Sequence, residues 1–147
     1  MKVLAIASAG GHWIQLLRLV PAFKKHEIIF VSTKPGFADT VKDFEFYCIP
    51  DASRKDKFLI LNVIFKIFRL VFQIKPDVVI TTGAAPGLIA LAAAKCISSR
   101  TIWVDSIANV EKFSLSGKIA QKFADQVYTQ WPDLVNENSI YKGNVLL

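Results

Sequence analysis

Residues 2–12 read Lys2-Val3-Leu4-Ala5-Ile6-Ala7-Ser8-Ala9-Gly10-Gly11-His12. An apolar run of strand length meets two glycines and passes directly into a pattern with helical spacing. Beyond His12, Ile14 and Leu17, then Leu16, Leu19, Val20 and Phe23, recur at the three- and four-residue intervals of one helix face, which predicts a helix from about His12 to Lys24. The run before Ser8 is far shorter than the apolar core of a secretory signal, so a buried first strand is expected instead. This strand–glycine–helix unit fixes how the rest of the chain is read.

The same alternation continues. Strands are expected at Glu27–Ser32, Glu45–Ile49, Asp77–Thr82, Arg100–Asp105 and Gln126–Thr129, with a last extended piece at Tyr141–Leu147. Between them lie a turn at Lys34-Pro35-Gly36, a short helix at Phe37–Lys42, a long helix at Arg54–Lys75 stopped by Pro76, an Ala-rich helix at Leu88–Ile97, a helix at Ser116–Asp125 and a helical turn near Trp131–Asn138. Asp77–Thr82 is apolar along almost its whole length, as in strands buried on both faces of a parallel sheet. The succession implies an α/β, Rossmann-like three-layer domain with a mostly parallel sheet, spanning residues 1–147 as one unit.

Composition sets limits on class. The 147 residues are 52% hydrophobic and 20% charged, with 18 Lys and Arg against 12 Asp and Glu. That excludes a disordered tail and leaves room for a core that needs no disulfide or metal. A mean hydropathy of +0.37 is high, so apolar surface is expected to remain for a partner or a bilayer. Cys48 and Cys96 lack any CxxC or Cys/His spacing and read as reduced, packed thiols. No uncharged apolar stretch reaches transmembrane length.

Ligands of such sheets bind beyond the carboxyl ends of the strands, which singles out loops 8–12, 33–36, 50–55, 83–87 and 105–114. In the first, Gly10 and Gly11 let backbone amides approach an anion at a helix N-terminus, and His12 sits in the first helical turn. A tight turn with a surface histidine would read the same way. In the loop after Thr82, Gly83, Pro86 and Gly87 leave small side chains around an equivalent position. Asp105 ends a buried strand, and Ser106, Asn109, Glu111, Lys112 and Ser114 make the following loop polar; Ser114 or Ser116 is suited to cap the next helix.

The long helix is unusual. From Phe58 to Ile74 only Asn62, Lys66, Arg69 and Gln73 are polar, and they form one narrow stripe. Phe58, Phe65, Phe68 and Phe72, beside Lys66 and Arg69 and following the cluster Arg54, Lys55 and Lys57, suit contact with a membrane or a partner. Burial between sheet and neighbouring helices is the other reading.

Several classes fall away. There is no GxGxxG, and Ser32-Thr33 ends the second strand where a dinucleotide site needs Asp or Glu. No Walker lysine follows the glycines. His12 and His26 stand apart from metal-ligand spacings, so no metal is expected. There is no GxSxG. The basic residues form no aromatic-interleaved stripe, and nucleic acid is not an expected partner.

Ser8-Ala9-Gly10-Gly11-His12, Pro76–Gly83, Asp105-Ser106 with Phe113–Lys118, Ala124-Asp125 and Gln130-Trp131-Pro132 together resemble one family. It is the membrane-anchor subunit of the split UDP-GlcNAc transferase that adds the second sugar of dolichol-linked oligosaccharide, with bacterial counterparts in capsule and exopolysaccharide synthesis. The resemblance spans nearly the whole chain and implies the N-terminal half of a GT-B glycosyltransferase. It implies a separate C-terminal-half subunit that binds UDP-sugar, a polyprenyl-diphosphate-linked saccharide as acceptor, no cofactor, and a peripheral place on the cytoplasmic face of the plasma membrane. His12 would serve as base or diphosphate contact. Asp105 would be a second catalytic group, or with Ser106 would orient the acceptor. Gly10, Gly11, Gly83, Pro86, Gly87 and Asn109 would shape the acceptor and phosphate site. The eukaryotic subunit carries an N-terminal membrane span; here the first strand begins at Lys2, and anchoring falls to residues 58–74. Where the eukaryotic pattern has Glu before Ser, this chain has Asp105. A non-catalytic scaffold for a partner transferase, or a stand-alone Rossmann-type sugar-nucleotide enzyme, are the alternatives.

Overall fold

The structure, a computed structural model, describes residues 1–51 and 56–146. Arg54 and Lys55 of the expected basic cluster, and most of loop 50–55, therefore lie outside the described residues. Seven strands form one sheet: β1 (Lys2–Ala7), β2 (Glu27–Ser32), β3 (Glu45–Cys48), β4 (Val78–Thr81), β5 (Arg100–Val104), β6 (Gln126–Thr129) and β7 (Ile140–Tyr141). Their order is β3-β2-β1-β4-β5-β6-β7, and every neighbouring pair is parallel. β1 sits between β2, with Ala7 opposite Ser32, and β4, with Ile6 opposite Thr81. The chain thus reverses its direction of winding at β1 and β4, the switch point where such sheets bind ligands.

The helices are α1 (Gly11–Leu19), α2 (Lys57–Ile74), α3 (Ala84–Cys96) and α4 (Leu115–Ala120). Side chains of the strands alternate between two cores. Leu4, Ile6, Ile29, Val31, Val79 and Trp103 pack under α2, α3 and α4. Val3, Ala5, Ile28, Phe30, Ile80 and Val104 lie on the other face, where Trp13 and Leu16 of α1 cover them. α2 buries Val63, Ile67, Val71 and Ile74, one stripe at helical spacing. Asp56 caps it by accepting from the amides of Phe58 and Leu59.

Three expected boundaries shift. The first helix turns 3₁₀ at Val20, where Pro21 removes an amide donor. The Ala-rich helix begins at Ala84 rather than Leu88: Pro86 falls within its first turn, where an amide has no intrahelical partner. The last extended piece is paired only at Ile140–Tyr141, followed by Gly143 at φ 107°. Neither thiol is packed as expected: Cys48 and Cys96 are both exposed.

Candidate functional site

The loops after β1 and β4 meet at the switch point. α1 starts from Gly10 (φ 93°) and α3 from Gly83 (φ 136°), backbone regions that favour glycine. Neither helix carries a side-chain cap, so first-turn amides remain for a ligand at two adjacent N-termini. Ala9 is tied across to β2's end by its amide, which donates to Thr33 Oγ1 at 3.0 Å. Gly10 and Gly11 are exposed.

His12 bridges the two loops. Its Nδ1–H donates to the Thr82 carbonyl at 2.9 Å, and the Thr82 hydroxyl donates back to the His12 carbonyl at 2.6 Å. The imidazole lies against Gly83, where a Cβ would stand 2.6 Å from ring atoms. The structure therefore brings His12, Gly10, Gly11 and Gly83 together. Pro86 and Gly87 are buried, as is Gly83, whereas Gly10 and Gly11 are exposed. A Cβ at 87 would overlap Thr81 Oγ1, so Gly87 lets α3 approach β4 closely rather than lining an opening.

Asp105 is engaged by the fold around it. It is 2% exposed, and its carboxylate accepts from Trp103 Nε1 (2.9 Å), Ser114 Oγ (2.8 Å), Asn109 Nδ2 (2.9 Å) and the Ser114 amide (3.2 Å). Four donors occupy both oxygens, leaving no open lone pair for an acceptor hydroxyl. Asp105 organises the 105–117 loop, and Asn109, half-exposed, is one of its struts through Nδ2. Ser114 caps α4 by accepting from the Gly117 amide at 2.8 Å, as one of the two expected serines. A Cβ at 117 would overlap Asp105 Oδ1, so only glycine fits there.

Ser106 is likewise engaged. Its Oγ accepts from Gln15 Nε2 (3.1 Å) and the Ala108 amide (3.3 Å). Gln15 and Gln130 were not apparent from sequence. Gln130 Nε2 donates to Gln15 Oε1 and to the Asp105 carbonyl, both at 2.8 Å, and Gln130 Oε1 accepts from the Val145 amide at 3.0 Å. Arg18 donates to the Val145 carbonyl at 2.6 Å. The only sequence signal was the Gln130-Trp131-Pro132 motif, since Gln15 is 115 residues away.

Two surfaces flank this centre. On α2, Phe58 (84% exposed), Leu61, Phe65 (64%) and Phe72 form an outward apolar stripe beside exposed Lys66 and Arg69. Phe68 departs from the expected outward set: it is half-buried and packs against the core. Among the described residues no helix is long and apolar enough to cross a membrane. On the α1 face, β5 and β6 lack a covering helix. A groove of about 830 Å³ remains there, floored by Ile80, Ile102, Val104 and Tyr128 and bordered by Arg18, Ala22 and residues 142–146. At the sheet's opposite edge, Lys95 beside Asp125 (2.6 Å) holds that carboxyl below its usual range, helped by the Thr101 amide and hydroxyl. Among the described residues no cluster of His, Cys, Asp and Glu is placed to hold a metal ion.

Comparison with known proteins places this geometry. Residues 49–145 match the family model described as oligosaccharide biosynthesis protein Alg14 like. The UDP-N-acetylglucosamine transferase subunit ALG14 of Homo sapiens is 25% identical over 185 residues, covering 99% of this chain and 83% of that protein. The Rattus norvegicus protein of the same name is 29% identical with the same coverage. Among solved structures, Acinetobacter baumannii MurG superposes with a TM-score of 0.79 at 18% identity, over 97% of this chain and 46% of that one. UDP-N-acetylglucosamine 2-epimerase from Rickettsia bellii superposes with a TM-score of 0.73 at 18% identity, over 99% and 45%. The chain thus spans less than half the length of these solved structures, whose likeness shows the Rossmann-like fold alone.

Proposed function

The chain belongs to the Alg14-like family of oligosaccharide biosynthesis proteins, and from that membership we propose that it is one subunit of a two-chain UDP-sugar glycosyltransferase, active with a partner that grips the donor. The observation that carries this reading is the meeting of two glycine-capped helix N-termini on His12 at the switch point. Unfilled amides suit the diphosphate of a polyprenyl-linked acceptor, and transfer to a sugar hydroxyl needs a base beside it. His12 supplies that base. Gly10, Gly11 and Gly83 shape the phosphate cradle, Pro86 and Gly87 fix where α3 begins, and Asp105, Ser106 and Asn109 hold the cleft's far wall.

The stripe of Phe58, Phe65 and Phe72 with Lys66 and Arg69 suits the cytoplasmic leaflet, whose anionic headgroups attract the cations while the rings enter the interface. The groove over β5 and β6 suits the partner subunit, since a sheet face of this kind is covered in a complete α/β unit. The acceptor is a lipid-linked saccharide of capsule or exopolysaccharide assembly.

The test is His12→Ala in the complex purified with its partner. Turnover should fall by about 10²–10⁴-fold, the usual contribution of general base catalysis, with the complex intact. Near-normal turnover would instead establish a non-catalytic scaffold, a reading favoured by the one observation that Asp105 is fully engaged in the fold.

A further inference from the structure

We propose that Thr82 is a positioning residue that fixes the tautomer of His12. The inference rests on the reading of His12 as base. Neutral imidazole carries its proton on one nitrogen only, and the hydrogen bond made by one nitrogen decides which is free. The partner of His12 Nδ1 is a backbone carbonyl, which accepts and cannot donate, so Nδ1 holds the proton and Nε2 keeps the lone pair. Among the described residues Nε2 has no hydrogen-bond partner.

Two bonds from one residue make this hold. Thr82 accepts from the ring through its carbonyl and donates to the His12 backbone through its hydroxyl. The hydroxyl bond holds the His12 backbone beside the carbonyl that its ring meets, so the ring keeps its partner as long as α1 stays against the end of β4. Thr82 is fully buried and His12 half-buried, so water reaches these bonds only from the histidine side. Gly83 closes the third side, because any Cβ there would occupy the ring's place. A backbone carbonyl thus orients His12 and sets its tautomer, as the carboxylate of a Ser-His-Asp triad does for its histidine, without the carboxylate's charge on a developing imidazolium. The hydroxyl is the part a substitution can remove: valine keeps the shape and the carbonyl but loses the bond to α1.

The chain has two histidines, so ¹⁵N-labelled imidazole resonances are assignable in the full chain with His12→Gln as reference. The wild-type spectrum should show His12 protonated at Nδ1. Thr82→Val should shift it toward Nε2 protonation, and Thr82→Ser should restore the wild-type signature. In the partner complex, Thr82→Val should lower kcat at least about tenfold with acceptor KM within twofold, and Thr82→Ser should recover it. A wild-type His12 protonated at Nε2 overturns the proposal without any variant, and so does a Thr82→Val chain that folds with unchanged tautomer and kcat. Full turnover by His12→Gln overturns the base assignment itself, whatever the tautomer.

Discussion

At the scale of single residues, His12 and Asp105, both expected from sequence as catalytic groups, stand in different surroundings. His12 lies in the first turn of α1 and Asp105 directly follows β5, both at the carboxyl edge of the sheet, and their positions alone cannot separate them. The separation comes from neighbours: His12 has one backbone partner and an open nitrogen, whereas Asp105 collects four donors from Trp103, Asn109 and Ser114. Apart from Trp103 in β5, those donors lie four to nine residues on, in a polar loop whose path sequence does not specify. Asp105→Asn replaces one acceptor oxygen with a donor facing donors, and should destabilise the chain by about 2–4 kcal/mol in denaturant unfolding. Loss of turnover with unchanged unfolding would return Asp105 to the chemistry.

At the scale of elements, strands were legible because each is a short apolar run between breakers, and the expected and observed strands coincide closely from β1 to β6. Helix starts were less so. Small residues at 83–87 read equally as a turn or as a first helical turn, and only packing of Gly87 on Thr81 decides for the helix. For α2, the apolar excess was legible but its division was not: Phe68 turns inward while Phe58 and Phe65 face solvent. Phe58→Ser with Phe65→Ser should weaken cosedimentation with anionic vesicles at least about tenfold, since each interfacial Phe contributes up to about 1.5–3 kcal/mol. Thermal unfolding should be unchanged, because neither ring meets the core. Equal binding by this variant would remove α2 from the membrane.

At the scale of the whole molecule, one sheet face has three helices and the other is half bare. Sequence conveyed the alternation of elements but not this imbalance, which depends on which side each crossover takes. Ala22, exposed on the groove's border, offers a test that spares the core. Ala22→Glu should reduce recovery of the partner in pull-downs while leaving the chain's own melting curve in place; unchanged recovery would move the interface elsewhere. The two exposed thiols complete the picture. Cys48 closes β3 at the carboxyl edge of the sheet, and Cys96 closes α3, which runs back to the opposite edge. One chemical handle thus stands at the carboxyl edge, on the outermost strand and two strands from β1, and another at the opposite edge. Alkylation kinetics at Cys48 report on whatever covers that corner of the carboxyl edge, and Cys96, in the same molecule and the same tube, is its own internal clock.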